Sequence, residues 1–543
     1  MENSNSQPLS TTPHQGAQNP FWSRIIDISY NPAALQRLVT LLVGIAIAVA
    51  YGWMVGSGES EMLILTTVWL GAILIIVLVR DYWWAPLILI SALTFRTYAL
   101  GFAVTGLELG IIVLALTFPV KLAMRTLQVA KPVLHLGRAY WFLLGFVALH
   151  ACIIILYSRI EGVPLKNIIK AYYAALSPLV FYGLLMRYCH SRTVKPVSIA
   201  MFCVYFLVMC ICIPVIIFDI RVPFLSELHI LLDWAYSETA IGTARSYAPM
   251  LFTAALAFWP TRRIWVKILL LLAIVVAMFG GLVSGGRIVA ATCVVASILI
   301  CMIRRKAWAT IPILGAVAML SLFITTNPDS LFHLPVMIQR ALTPLNLSEH
   351  PTEAQLTTLG SDAWHEELRR ESLDYWTSDV ASFWIGHGFK AWDETLSFDP
   401  DWTRFYEDAK RLAIQMGRTE NTFSSLTNIF GLTGLLFYAW FMGSLTLQIW
   451  HARRHCPQGS YARSLCEFSL VLALIFVIFA PFAGGTPGIN LIYWQLGLLA
   501  ARPYLADASA VEEKHESSQH PRNRGVRKSL AGSRRARSLF LPR

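Results

Sequence analysis

Stretches of about 18–25 apolar residues recur along this chain, each long enough as a helix to cross a hydrocarbon core of roughly 30 Å. "IWVKILLLLAIVVAMFGGL", residues 264–282, carries one charge in nineteen residues. A helix resting on a water-soluble core keeps a polar stripe. This one is apolar on every side, and so are most of its counterparts. Composition agrees: 56% of the 543 residues are hydrophobic and 14% are charged. Soluble domains hold about 45–50% apolar and about 25% charged residues. The reading is an all-α polytopic membrane protein.

About fourteen spans are expected, near 36–56, 61–80, 83–100, 107–124, 139–157, 168–186, 196–219, 246–260, 264–282, 285–303, 308–326, 423–449, 465–482 and 488–502. Alternate loops are basic, with Lys121, Arg125, Lys131 and Arg138, then Arg187, Arg192 and Lys195, then Arg262, Arg263 and Lys267. Arg304, Arg305 and Lys306 follow, then Arg453, Arg454 and Arg463. Positive charge favours the cytoplasmic side, which sets these loops and both termini inside. The net charge of +12 is thereby assigned to topology, and no nucleic-acid partner is implied. The expected domains are a disordered N-terminal tail, 1–35, eleven spans in 36–326 and a large extracytoplasmic loop, 327–422. Three spans in 423–502 and a basic, disordered C-terminal tail, 503–543, complete the chain.

The N-terminus lacks the charged and apolar regions of a cleavable signal. The nine cysteines show no disulfide framework or zinc spacing, and Cys210 and Cys212 read as packing residues. No internal repeat of the transporter kind is visible. The large loop, with Trp364, Trp376, Trp384, Trp392 and Trp402, is expected to form short amphipathic helices on the outer face.

Positive-inside makes an outer arginine informative. Arg96 and Arg159 read as snorkelling to lipid headgroups. Arg245 opens the eighth span, and Arg287 follows a tight turn at Ser284, Gly285 and Gly286. Glycines let backbone approach a ligand closely, and N–H groups at a helix start attract anions. Arginine at a membrane mouth is costly without an anion or carbonyl partner, and its planar fork matches a lipid diphosphate. In the loop, Arg369 and Arg370 adjoin each other, one suited to a site and the other to a neighbouring glutamate. Glu366, Glu367, Glu371, Asp374 and Asp379 read as helical pairs or a solvated face.

At the loop's end, "GRTENTF" places Arg418, Glu420 and Asn421 before an apolar span. Asn421 or Thr422 suits an N-cap, and Glu420 suits the positive end of a helix dipole. The chemical alternative makes Glu420 a general base that takes the proton of an attacking sugar hydroxyl. An arginine-held diphosphate would then be the leaving group.

Together these segments resemble the O-antigen ligase and O-antigen/exopolysaccharide polymerase family. The resemblance rests on "SGGR" (284–287), "LRRESLDYWTSDVASFWIGHGF" (368–389) and "ENTFSSLTNIFGLTGLLFYAWF" (420–441), with a weaker match in "TARSYAP" (243–249). It covers about 240–450 and is topological elsewhere. It implies a GT-C-type membrane glycosyltransferase with an undecaprenyl-diphosphate-linked glycan as donor and a glycan as acceptor. Transfer would occur on the periplasmic face of the inner membrane, with inversion and no metal or other cofactor. Membrane lipids and a chain-length regulator are the further partners implied. By position, Arg287 and Arg369 or Arg370 would grip the diphosphate, with Arg245 a further candidate. Glu420 stands where the ligases usually carry histidine, a departure that favours a polymerase over a ligase. His387, inside the Gly386–Gly388 turn, is the alternative base. A flippase would want polar groups at helix centres, and a membrane O-acyltransferase a deep histidine, for which His150 is the nearest fit.

Overall fold

The computed structural model describes residues 136–161, 165–218, 237–260, 263–327, 333–345, 353–388, 421–481 and 490–519. It also describes Ile88, Lys410, Ile414 and the two strands within 96–105. Contacts divide the chain into two units, one of Met1–Asp81 with Val113–Gln128, the other of Tyr82–Ile112 with Val129–Arg543. Every described residue lies in the second. The expected spans 36–56, 61–80 and 107–124 and the N-terminal tail fall outside the described residues.

The helices are α1 (Gly137–Glu161), α2 (Leu165–Tyr188), α3 (Ser191–Phe218), α4 (Ser237–Phe258), α5 (Ile264–Val283), α6 (Arg287–Ile303) and α7 (Thr310–Thr326). Three follow in the large loop: α8 (Val336–Leu342), α9 (Glu353–Trp376) and α10 (Val380–Ile385). Then come α11 (Thr422–His455), α12 (Tyr461–Phe479) and α13 (Asn490–Gln519). Among them six are long and apolar enough to cross a membrane, and α6 is a shorter apolar helix. The protein is therefore a helical membrane protein in its described part. Two expectations change. β1 (Arg96–Ala99) and β2 (Phe102–Thr105) pair antiparallel, a short ladder in an otherwise helical described part, so the span expected at 83–100 gives way to a strand by Arg96. The tail expected to be disordered from 503 is helical to Gln519. Its Ala- and Glu-rich run, "ADASAVEEKHESSQ", is rich in helix formers, which continue α13 beyond the apolar segment.

Burial separates a centre from a rim. Every residue from Leu491 to Arg502 is buried, as is most of α12, whereas Ile324 is the one buried residue of α7. Leu269, Leu272 and Val275 of α5 face outward. In water such a surface would drive aggregation; in lipid it is solvated. Lipid offers helices no hydrophobic incentive to associate, so close packing and polar contacts hold them. Gly497 supplies the first: a Cβ there would stand 2.9 Å from the Cα of Cys466. Ser469 supplies the second, donating to the Tyr493 carbonyl at 2.6 Å and accepting from the Gly497 N–H at 3.1 Å.

One end of the bundle is tied by charge. Buried Glu467 of α12 pairs with Arg304 at 2.8 Å, Arg453 at 2.9 Å and Arg463 at 3.6 Å. Arg304 also donates to the carbonyls of Leu256 and Ala257, and Arg453 to that of Ile303. These bonds join the ends of α4, α6, α11 and α12. Three arginines from two basic loops thus meet at one end. The opposite end carries the α5–α6 turn, the loop helices and the start of α11.

Candidate functional site

The α5–α6 turn is built by Gly285, whose φ of +67° only glycine adopts without strain. A Cβ on Gly285 would press on Met337 of α8, and one on Gly286 would meet Val289 and the Arg245 stem. The glycines therefore admit α8 and Arg245. Buried Ser284 donates to the Gly281 carbonyl at 2.7 Å, and its own carbonyl accepts from Nε of Arg245 at 3.0 Å. α6 begins at Arg287 with no side-chain cap, so its first turn presents a positive dipole end. Arg340 of α8 lies close enough to repel Arg245. Arg245, Arg287 and Arg340 thus gather around one turn.

Beside this cluster is a cavity of about 660 Å³ lined by α5, α6, α7 and the end of α8. Its walls include Met278, Leu282, Val294, Val317, Leu320 and Leu342, and Arg287 is the one charged residue among its described lining. The volume is that of a small-molecule site. An apolar space with a guanidinium at its edge suits an amphiphile with an anionic head.

The second half of the expected site sits on α9, α10 and α11. Asn421 is the N-cap of α11, buried, its side-chain oxygen accepting from the Ser424 N–H at 2.6 Å. Thr422 is the first helical residue. The polar run behind them is also buried, with Ser424, Ser425, Thr427 and Asn428 all shielded. Asn428 donates to the Ser372 hydroxyl of α9 at 2.7 Å. α11 is then broken at Gly431, whose φ of 65° and ψ of −170° belong to a region open in practice to glycine alone. The break frees two carbonyls: the His387 N–H donates to that of Asn428 at 2.8 Å, and the Gly388 N–H to that of Ile429 at 3.0 Å. Gly386 has a similar geometry, φ 71° and ψ −176°. The two glycines face each other where α10 crosses α11, and a Cβ on either would stand 2.5 Å from backbone of the other strand of chain.

This crossing is deep. His150 of α1 bonds the Ile385 carbonyl through Nε2 at 2.7 Å and the Tyr172 hydroxyl through Nδ1 at 2.6 Å. At roughly 1.5 Å per residue, His150 lies about 16 Å short of the end of α1 at Glu161. Irregular backbone at such depth needs its polar groups satisfied by protein, as these are. His150 thus has both ring nitrogens committed to joining α1, α2 and α10.

His387 is likewise committed. Its Nε2 meets the Tyr375 carbonyl at 2.8 Å, its Nδ1 meets the Ser382 hydroxyl at 3.3 Å, and its ring stacks on Tyr375 at 3.8 Å. Asp379 caps α10 through the Ser382 N–H at 2.8 Å and accepts the Ser382 hydroxyl at 2.5 Å. The Ser382 hydroxyl and N–H hold its carboxyl below the usual range.

Arg369 pairs with Glu366 at 2.9 Å, while Arg370 is exposed and has no ion pair among the described residues. Glu367 and Glu371 both bind buried Lys410, at 3.0 and 2.6 Å, from the far part of the loop. Two carboxylates four residues apart repel on one helix face, and the intervening cation relieves that repulsion. Glu420 and Arg418 lie outside the described residues. Arg340 and Lys410 went unread in the sequence, although an arginine outside the basic loops was already an anomaly by the positive-inside rule.

These features define a helical membrane protein with an arginine cluster beside an apolar cavity and, on other helices, a buried polar run leading to a break at Gly431. No protein-family model matches the chain, and no curated protein matches it.

Proposed function

We propose that this protein is a surface-polysaccharide polymerase of GT-C-like architecture in the bacterial inner membrane. It has about fourteen spans, both termini in the cytoplasm and its site facing the periplasm. It transfers glycan from an undecaprenyl-diphosphate carrier to a sugar hydroxyl, with inversion. The observation that carries the reading is the grouping of Arg245, Arg287 and Arg340 around the uncapped start of α6, beside the apolar cavity. A lipid diphosphate has both properties that such a place selects, a dianionic head and a hydrocarbon chain.

In this reading the arginines and the α6 start hold the diphosphate, with Arg370 approaching from α9. Glu420, one residue before the N-cap of α11, takes the proton of the acceptor hydroxyl. The hydroxyl oxygen bonds to the anomeric carbon from the face opposite the diphosphate. The sugar–phosphate bond breaks, its electron pair leaves with the diphosphate, and the arginines stabilise that charge. The assignment of Glu420 is carried by its sequence position. His387, whose ring nitrogens are both engaged, supports the fold of the loop in place of the base role.

Arg287→Ala and Glu420→Gln test the assignment in cells that make the polymer. At normal expression each variant is expected to leave only unextended glycan. Long glycan from either variant removes that residue from the chemistry.

A further inference from the structure

α11 ends at His455, at the end of the bundle remote from Asn421. His451 lies one turn earlier on the same face, the spacing at which helical side chains meet. Their Nε2 atoms are 3.2 Å apart, with ring centroids at 4.6 Å. His451 is exposed and His455 partly so. Zinc–imidazole bonds are about 2.0–2.1 Å long, and two of them spanning this gap would enclose roughly 100–106°, close to tetrahedral.

The surroundings favour a cation more than the local sequence, "HARRH", suggests. The C-terminal carbonyls of α11 carry the negative end of its dipole. Arg453 is turned to Glu467 and the Ile303 carbonyl. The Arg454 guanidinium lies over the Trp450 ring, 5.2 Å from its centroid. Neither cation is directed by its bonds at the imidazole pair. No group of three or more His, Cys, Asp or Glu suited to a metal occurs among the described residues. A metal held by two imidazoles would fill its other positions with water, the open type of site and not the closed structural one.

We propose that His451 and His455 form a two-histidine site for a divalent transition-metal ion of the zinc–copper class. Imidazole suits these metals, and copper(II) binds such nitrogen donors more tightly than zinc. The site is separate from the glycan chemistry and stands or falls without it.

The test is calorimetric titration of ZnCl2 into the full chain in detergent, comparing wild type with His451→Gln, His455→Gln and the double variant. The chain has thirteen histidines, and the others are kept in every variant. One equivalent of zinc is expected to be lost in the double variant, with each single variant weakened at least about tenfold, the scale on which even outer-shell losses weaken metal sites. Copper(II) added at one equivalent should give an electron paramagnetic resonance spectrum with two nitrogen ligands, which the double variant loses. Melting curves without metal confirm that the variants fold. Equal zinc binding by wild type and double variant, or no binding by wild type, overturns the proposal.

Discussion

Replacing Gly431 with alanine isolates the crossing of α10 over α11. The residue has φ 65° and ψ −170°, a geometry that costs a side-chain-bearing residue of order 1–3 kcal/mol. The new Cβ would also stand 2.5 Å from the Trp384 carbonyl and the Ile385 nitrogen, both backbone atoms that cannot rotate aside. Moving α10 away relieves the clash but strains three contacts: the His387 and Gly388 N–H bonds to α11, and the bond from His150 to the Ile385 carbonyl. Each buried group left unpaired costs about 1–3 kcal/mol. Backbone strain with one such bond lost gives a total expected loss of about 2–6 kcal/mol, large for a single substitution. Gly443→Ala is the internal control, because nothing lies within 4 Å of its added Cβ and the helix should gain up to about 1 kcal/mol. Melting followed by tryptophan fluorescence in detergent should show Gly431→Ala falling well below wild type and Gly443→Ala at or above it. Gly386→Ala should resemble Gly431→Ala, and the double variant should lose less than the sum, since one displacement relieves both clashes. Equal melting of Gly431→Ala and Gly443→Ala would refute the close crossing.

Four other perturbations follow. Glu467→Gln leaves Arg304, Arg453 and Arg463 without their shared carboxylate and should cost about 3–5 kcal/mol, read as a loss of detergent-stable protein. Lys410→Met removes the cation shared by Glu367 and Glu371; because both are about a third exposed, the cost should stay near 2 kcal/mol, seen as faster proteolysis of the outer loop. Arg340→Ala should raise the KM for a lipid-diphosphate donor about tenfold or more, the worth of one charge-assisted hydrogen bond, with less change in kcat. The Asp379 cap has a depressed pKa, so its contribution is present above about pH 3.9, the unfolded value. It is lost as pH falls through the lower folded value. Proteolysis at the α9–α10 junction should rise only in that acidic range, and Asp379→Ala should remove the dependence.

From α1 onward the expected segments coincide with helices, six of them long and apolar enough to cross a membrane, and they were legible because lipid imposes one simple demand. The strand pair at Arg96–Thr105 was not, since four-residue strands carry too weak a pattern to stand out beside an apolar block. The break at Gly431 was hidden for a different reason. A glycine in a membrane helix is ordinary, and only the backbone arriving from Gly386–Gly388 shows why this one must be glycine. Asn421 was readable as a cap because capping is local chemistry within three residues. Lys410 was not, because its partners are some forty residues away and its burial depends on the folded loop. Arg340 carried a usable signal, positive charge outside the basic loops, but α8 is too short to announce that it packs against the α5–α6 turn.

The central claim concerns a bond made at the expense of a lipid diphosphate. The direct measurement uses purified protein in proteoliposomes supplied with an undecaprenyl-diphosphate-linked repeat unit. Products are resolved by mass and the freed lipid is quantified. Dimeric and longer glycans are expected, with one undecaprenyl diphosphate released per new glycosidic bond and none from Arg287→Ala. Movement of the donor across the bilayer with no new bond and no freed lipid would contradict it.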